Sequence, residues 1–190
     1  TFGTMATGGF STWNASVGHY QSATIEWTII VFMILAGTNF NLYYLMLIAK
    51  RADQSKPGVG TRLAVVARDP EFRLYVGILS IGTLLLAFNL WQHKLYEGPL
   101  EILRHSVFTT VSITTTTGFG TVDFDQWNNF SRALIVLLMF VGGCAGSTGG
   151  GIKVVRFLLL GRILGLELEG AFRPNVVRPL RIAGVNLDKS

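Results

Sequence analysis

The residues GGCAGSTGGG, at positions 142–151, place six glycines among ten positions. The apolar run ALIVLLMFV precedes them and the basic run IKVVRF follows. Each glycine costs a helix about 1 kcal/mol relative to alanine, so a membrane helix is expected to break here. Irregular backbone is tolerated at membrane depth only where it lines water or is packed in protein. The stretch therefore predicts a broken helix, and six glycines exceed what close helix packing needs.

Charge-free windows surround this stretch. Only 14% of the 190 residues are charged, whereas soluble domains have about 25%. Positions 27–49, 74–92 and 133–152 carry no charged side chain. Each window reaches the roughly 20 residues that cross a hydrocarbon core. We therefore predict three membrane spans, in preference to the buried helices of a large soluble protein.

The net charge of +5 is unevenly distributed. Basic residues concentrate at positions 50–73, between the first two windows, and at positions 153–190, after the third. Basic residues in alternate loops mark the cytoplasmic side of a membrane protein. No aromatic residues are interleaved with this charge, so nucleic acid is not predicted as a partner.

Few residues suit a cofactor. Cys144 is the single cysteine, so neither an intrachain disulfide nor a cysteine metal site is predicted. The three histidines have no partner at ligand spacing, and no nucleotide-binding lysine motif is present. We therefore expect no organic cofactor. The chain begins at Thr1 in what resembles the middle of an element, so we expect it to be part of a longer chain.

Residues 98–127 predict a re-entrant segment. Pro99 and Glu101 suit a helix start, but the apolar part that follows is too short to cross the membrane. It ends in four threonines, 114–117, and then Gly118-Phe119-Gly120. Because the loops before and after this region are both assigned to the cytoplasm, the segment has to enter and leave by the outer face.

An internal repeat supports this topology. TGGFSTW at 7–13 is similar to TGFGTV at 117–122, and an offset of 109 superimposes Gly9 on Gly118. The same offset places residues 36–38 (AGT) on residues 145–147 (AGS). A second alignment, Gly8 on Gly118, remains open. The repeating unit is a span, a half-helix, a glycine-bearing loop and a span.

The loop after the half-helix has the composition of a cation site. Residues 115–120 carry no ionised group, so their strong ligands are backbone carbonyls and threonine hydroxyls. Glycine permits backbone angles that turn successive carbonyls toward one axis. Rings of carbonyls can replace the hydration shell of a monovalent cation, and the half-helix directs its negative end at the same place. A structural turn is the alternative interpretation of this loop.

The motifs TTGFG at 116–120 and GGCAGSTGGGIK at 142–153 resemble those of the TrkH branch of the Trk/Ktr/HKT potassium transporters. The resemblance covers essentially the whole chain. It implies an all-α membrane protein of span–pore-loop–span repeats, with re-entrant half-helices and a broken helix, around a central ion pore. It places the end of one repeat at 1–52, a cytoplasmic linker at 53–69, a complete repeat at 70–168 and a connector at 169–190.

The resemblance also implies roles for individual residues. It implies an ion-binding selectivity filter at Thr7, Gly8, Gly9, Thr116, Thr117, Gly118 and Phe119, with potassium at Gly8, Gly9, Thr117 and Gly118. It implies an intramembrane gate at Gly142, Gly143, Gly146, Ser147, Thr148, Gly149, Gly150 and Gly151. One filter copy reads Gly-Gly-Phe-Ser, a departure that predicts looser discrimination between potassium and sodium.

The function implied is potassium uptake, without enzymatic activity, by a multi-pass protein of the bacterial inner membrane. The implied partners are membrane lipid, a second copy in a homodimer, and a cytoplasmic TrkA-like nucleotide-binding ring. Alternatives are a sodium-permeable or sodium-coupled member of the superfamily, a non-conducting structural subunit, and a membrane-embedded hydrolase using Ser147.

Overall fold

Helices form nearly all the regular structure of the residues that the computed structural model describes, which are 2–52, 66–96, 98–172, 180–182 and 185–187. Single 3₁₀ turns cover Ser16–Tyr20 and Phe124–Gln126. The helices and strands are α1 Phe2–Met5, α2 Ala23–Gly37, α3 Phe40–Ala52, α4 Pro70–Gln92, α5 Pro99–Thr114, α6 Asn129–Phe140, α7 Val154–Phe172, β1 Leu180–Ile182 and β2 Val185–Leu187.

Helix α4 confirms the second predicted span. It has 23 residues, and it is the one unbroken helix in the described part of the chain that is long and apolar enough to cross a membrane. Its start is fixed by Asp69, whose carboxylate accepts a hydrogen bond from Phe72 N at 2.8 Å, and by Pro70 in the first turn. An uninterrupted apolar run with a capped start therefore forms one unbroken helix.

The first predicted span, 27–49, is wrong as a continuous helix. Helix α2 ends at Gly37, α3 begins at Phe40, and the two are bent by 89°. Thr38 has an extended backbone with φ −85° and ψ 150°. Phe40 N donates to Gly146 O at 3.2 Å, so a tertiary contact replaces the helical bond that this amide would make.

The third window breaks, as its glycines predicted. Helix α6 ends at Phe140 and α7 begins at Val154. The ends of the intervening loop meet, because Gly142 N donates to Ile152 O at 2.9 Å and Ile152 N donates to Phe140 O at 3.1 Å. The chain thus leaves the helix, forms a closed loop and returns almost to its starting point.

Helix α5 is the predicted half-helix. Its 16 residues span only about 24 Å at about 1.5 Å each, which is short of a hydrocarbon core of about 30 Å. It lies against α2, α4 and α6, and Phe108 and Val111 are buried in a core with Met33 and Tyr75. The re-entrant helix therefore occupies the centre of the molecule.

The predicted all-helical membrane fold is confirmed, with one addition near the end of the chain. There, β1 and β2 pair as an antiparallel ladder, in which Arg181 lies opposite Asn186. Most of the predicted cytoplasmic linker at 53–69 and of the connector at 169–190 lies outside the described residues.

Candidate ion filter and glycine loop

Two short segments, which we call the hooks (residues 7–9 and 116–118), share an unusual backbone. Thr7 and Gly9 have φ of +50° and +61°, and Thr116 and Gly118 have φ of +56° and +83°. Threonine rarely adopts positive φ, so the coincidence indicates two copies of one local structure.

The hydrogen bonds around the hooks settle their register. Three backbone bonds in the first copy recur in the second with donor and acceptor both moved by 109 residues, and this favours pairing Gly9 with Gly118 over pairing Gly8 with Gly118. The matched bonds are Ala6 N to Phe2 O with Thr115 N to Val111 O, Thr7 N to Thr4 O with Thr116 N to Ile113 O, and Gly8 N to Gly3 O with Thr117 N to Ser112 O.

The hooks lie directly against each other. A Cβ atom on Gly9 would overlap the carbonyl oxygen of Thr117 and would lie 3.1 Å from the carbonyl carbon of Gly118. Two separate constraints therefore require glycine at position 9: its positive φ and the contact with the neighbouring backbone. The structure brings the two predicted filter segments together at one place.

The carbonyl oxygens of the hooks differ from that of Phe119 in their hydrogen bonding. Within the described residues, the carbonyl oxygens of 7–9 and of 116–118 accept no hydrogen bond. Phe119, the last residue of the predicted filter, differs because its carbonyl accepts a bond from Ser112 Oγ at 2.7 Å. Its oxygen is therefore directed back toward α5. All three carbonyl oxygens of each hook are thus without a hydrogen bond in the described part of the chain, whereas that of Phe119 has one.

A side-chain hydrogen bond supports the hook at 116–118, and the hook at 7–9 has no equivalent. Thr117 is 3% exposed, and its hydroxyl lies 2.7 Å from the hydroxyl of the buried Thr115. At the offset of 109 the matching residues are Ala6 and Gly8, which have no hydroxyl. The hook at 7–9 therefore has less side-chain support than the hook at 116–118.

Outside the hooks, the two copies are joined by a second contact. Gly18 N donates to Gly120 O at 3.1 Å, and Gly120 N donates to Ser16 Oγ at 3.2 Å. A Cβ on Gly18 would lie 2.5 Å from Thr121 O, so the backbones are in close contact. We call residues 16–18 with 120–121 the outer seam.

Residues 142–151, which we call the glycine loop, bind the first residue of each hook. Thr7 Oγ1 donates to Thr148 O at 3.0 Å, and Gly150 N donates to Thr116 Oγ1 at 2.6 Å. A Cβ on Gly149 would lie 3.0 Å from Thr115 O. The loop therefore lies immediately beneath both hooks.

Close backbone contacts explain the composition of the glycine loop. A Cβ on Gly142 would overlap the carbonyl of Gly150, and one on Gly143 would lie 2.9 Å from Gly37 O. Gly146 and Gly151 have φ of +69° and +68°. The glycines thus serve turns and backbone packing, and Cys144 between them is fully buried.

The polar residues of the glycine loop are used within its fold. Ser147 Oγ donates to Cys144 O at 2.6 Å, and the Lys153 ammonium donates to the carbonyls of Ser147 and Gly149. The Ser147 hydroxyl donates its proton to a backbone carbonyl, and these contacts include no side chain that could act as a general base for it. The hydrolase alternative gains no support from this arrangement.

Two hydrogen bonds of the buried Glu71 side chain were not predicted from the sequence. Glu71, in the first turn of α4, accepts a hydrogen bond from Ala145 N at 2.5 Å. Asn39, at the break between α2 and α3, donates to Glu71 at 3.4 Å. These partners are 32 and 74 positions apart, so spacing gave no signal of them.

Several known proteins are similar to this chain over nearly its whole length. A family model described as TrkH, cation transport protein, matches residues 1–190. The Trk system potassium uptake protein TrkH of Salmonella typhimurium is 38% identical over 182 residues, covering 96% of this chain and 35% of that protein. TrkG of Escherichia coli, from the same type of system, is 30% identical over 182 residues, covering 95% and 35%.

A solved structure matches as well. The crystal structure of the potassium transporter TrkH from Vibrio parahaemolyticus superimposes with a TM-score of 0.84 at 37% identity, covering 98% of this chain and 38% of that chain. The chain therefore spans little more than a third of the length of these relatives.

Proposed function

This chain belongs to the TrkH family of cation transport proteins, and from that premise we propose that it supplies two adjacent parts of a potassium uptake pathway. Its relatives are named as potassium uptake proteins, which are transporters and not enzymes. In this proposal residues 1–52 end one pore repeat, and residues 70–168 form the next.

The meeting of the two hooks carries this proposal. Two segments with the same backbone turn, each with three unpaired carbonyls, contact each other at Gly9 and Thr117. Rings of carbonyl oxygens can replace the water around a monovalent cation, and unpaired hook carbonyls would contribute to such a ring. We place potassium at Gly8, Gly9, Thr117 and Gly118, with Thr7 and Thr116 below, and we give Phe119 a supporting role.

A sodium-permeable pathway is the second candidate. The hook at 7–9 lacks the hydroxyl brace that Thr115 and Thr117 form in the other copy. A less supported carbonyl ring can contract more easily around the smaller sodium ion. This observation favours incomplete discrimination between the two ions.

Uptake of radioactive rubidium by proteoliposomes of the full-length protein tests the proposal. We expect uptake above that of protein-free liposomes, with potassium competing better than sodium. Equal competition by the two ions would favour the sodium-permeable alternative. A lack of uptake by correctly folded protein would contradict transport. In a separate experiment, crystals soaked in rubidium should give an anomalous peak beside Gly9 and Gly118.

We propose that the glycine loop is the gate of this pathway. It is hydrogen bonded to both hooks through Thr148 and Gly150, on the side away from the outer seam. An ion leaving the hooks on that side would meet the loop first. Conduction then requires the loop to move off the path.

Replacing Thr148 with valine should increase flux. The Thr148 hydroxyl lies 3.1 Å from Met5 O and 3.3 Å from Ala36 O, so it ties the glycine loop to the preceding copy. Loss of a hydrogen bond worth about 1 kcal/mol shifts a closed–open equilibrium about fivefold. Rubidium uptake should therefore rise several-fold, and Thr148→Ser, which keeps the hydroxyl, should behave like the parent. Parent-like uptake by a folded Thr148→Val variant would contradict a role for this bond in closure.

The remaining features concern location and partners. The helices of the described residues and the transporter relatives support a multi-pass protein surrounded by membrane lipid, and we place it in the bacterial inner membrane. We also propose a homodimer and a cytoplasmic TrkA-like nucleotide-binding ring, for which the basic residues after α7 offer docking charge.

A further inference from the structure

The carboxylate of Glu71 joins the two helix breaks. Glu71 is 7% exposed in the first turn of α4. One oxygen accepts from Ala145 N, in the glycine loop, at 2.5 Å. The other accepts from the side-chain amide of Asn39, at the break between α2 and α3, at 3.4 Å. A single side chain therefore binds both irregular segments.

We propose that Glu71 is a positioning residue that holds the glycine loop in its closed position beneath the hooks. This inference rests on the proposed gate function of that loop. Hydrogen bonds to an ionised group are about twice as strong as neutral ones, and burying a charge without partners is costly. Moving the loop away would remove the Ala145 donor and leave a buried carboxylate with one long hydrogen bond.

The surroundings of Glu71 make the loop amide important. In the described part of the chain, no basic side chain lies within ion-pair distance of this carboxylate. Its charge is therefore stabilised by Ala145 N and by Asn39. The Lys153 ammonium binds loop carbonyls further along, at Ser147 and Gly149. An anion therefore binds the amide of residue 145, and a cation binds the carbonyls of residues 147 and 149 in the same loop.

The start of α4 does not depend on Glu71. Asp69 caps this helix by accepting from Phe72 N at 2.8 Å, and Pro70 occupies the first turn. One turn further, Tyr75 is fully buried and its hydroxyl donates to Ile34 O at 3.4 Å. The helix is thus anchored by other residues, and removal of the Glu71 carboxylate should leave it folded.

Cys144 provides a readout that does not depend on transport. It is fully buried, it precedes Ala145, and its amide donates to Gly37 O at 2.9 Å. Displacement of the glycine loop would expose its thiol. The experiment uses the full-length protein in liposomes, with any cysteine outside these 190 residues replaced by serine, and measures the rate of alkylation by N-ethylmaleimide.

We expect Glu71→Ala to increase the alkylation rate of Cys144 about tenfold or more, since a charge-assisted bond is lost, and to raise rubidium uptake. Glu71→Gln keeps one acceptor for Ala145 N and should give a smaller increase, about threefold. The control is Glu101→Gln. Glu101 also lies in the first turn of a helix, α5, but its side chain is 42% exposed. Cys144 in this variant should be alkylated at the same rate as in the parent protein.

A parent-like alkylation rate in folded Glu71→Ala overturns the inference. If that variant does not fold, a parent-like rate in Glu71→Gln, which has nearly the same shape, overturns it instead. Faster alkylation with unchanged rubidium uptake leaves the role of Glu71 in holding the loop intact and contradicts the proposed gate.

Discussion

Replacing Gly9 with alanine is expected to abolish rubidium uptake, with a loss of at least about tenfold. The new Cβ would overlap the carbonyl oxygen of Thr117, an oxygen that we place around the ion. Alanine at φ +61° also costs about 1–2 kcal/mol in backbone conformation. Either the two hooks separate or the backbone of Gly9 changes, and each outcome displaces carbonyls that we propose to surround the ion.

Gly77→Ala is the matched control for this prediction. Gly77 lies within α4, where a Cβ would meet no atom within 4 Å, and alanine is the better helix former. Both variants add one methyl group to a glycine of the same protein. Uptake should be normal in Gly77→Ala and lost in Gly9→Ala, although both fold. Normal uptake in a folded Gly9→Ala variant would remove the hooks from the ion pathway.

Excising residues 143–150 is expected to raise rubidium uptake by about tenfold or more. The loop is removed from beneath the hooks, and the geometry favours rejoining the chain. A Cβ on Gly151 would lie 3.0 Å from the Cα of Gly142, and a peptide bond holds neighbouring Cα atoms about 3.8 Å apart. Direct connection of Gly142 to Gly151 therefore needs little movement of α6 or α7.

Adding Gly9→Ala to the excised protein is the control. If the increased flux passes through the hooks, the second substitution should eliminate it. Flux that persists in the combined variant would indicate a leak elsewhere. A folded excision variant with unchanged or lower uptake would show that the glycine loop does not limit conduction.

The sequence predicted the parts of the fold that depend on local composition. An uninterrupted apolar run became α4, a short apolar run between outer loops became α5, and a cluster of glycines interrupted the third span. Each of these outcomes follows from helix propensity and membrane thickness. Local composition was sufficient because no distant contact opposed it.

The break after Gly37 was not predicted, since residues 36–39 read AGTN, with one glycine and no proline. It depends on contacts with the glycine loop, where Cys144 N donates to Gly37 O and Phe40 N donates to Gly146 O. The repeat had aligned 36–38 with 145–147, and Thr38 N to Leu35 O matches Ser147 N to Cys144 O. The alignment therefore contained a signal of the break, whereas propensity did not.

The candidate filter was located by its motif, but its register required the backbone. The motif alone does not distinguish Gly8 from Gly9, whereas the positive φ of Gly9, its contact at Thr117 and the matched backbone hydrogen bonds do. The contribution of Glu71 likewise depends on a fold that brings distant positions together.

The outer seam has a consequence for ion choice. Gly18 and Ser16 of one copy hydrogen bond to Gly120 of the next, so in the proposed filter a widening of one copy would strain its contacts with the neighbouring copy. The size of the proposed pore would then depend on all the copies together, and a substitution in one copy should alter which ions the adjoining copy accepts. Ion selectivity would then depend more on the contacts between the repeats than on the residues of any single repeat.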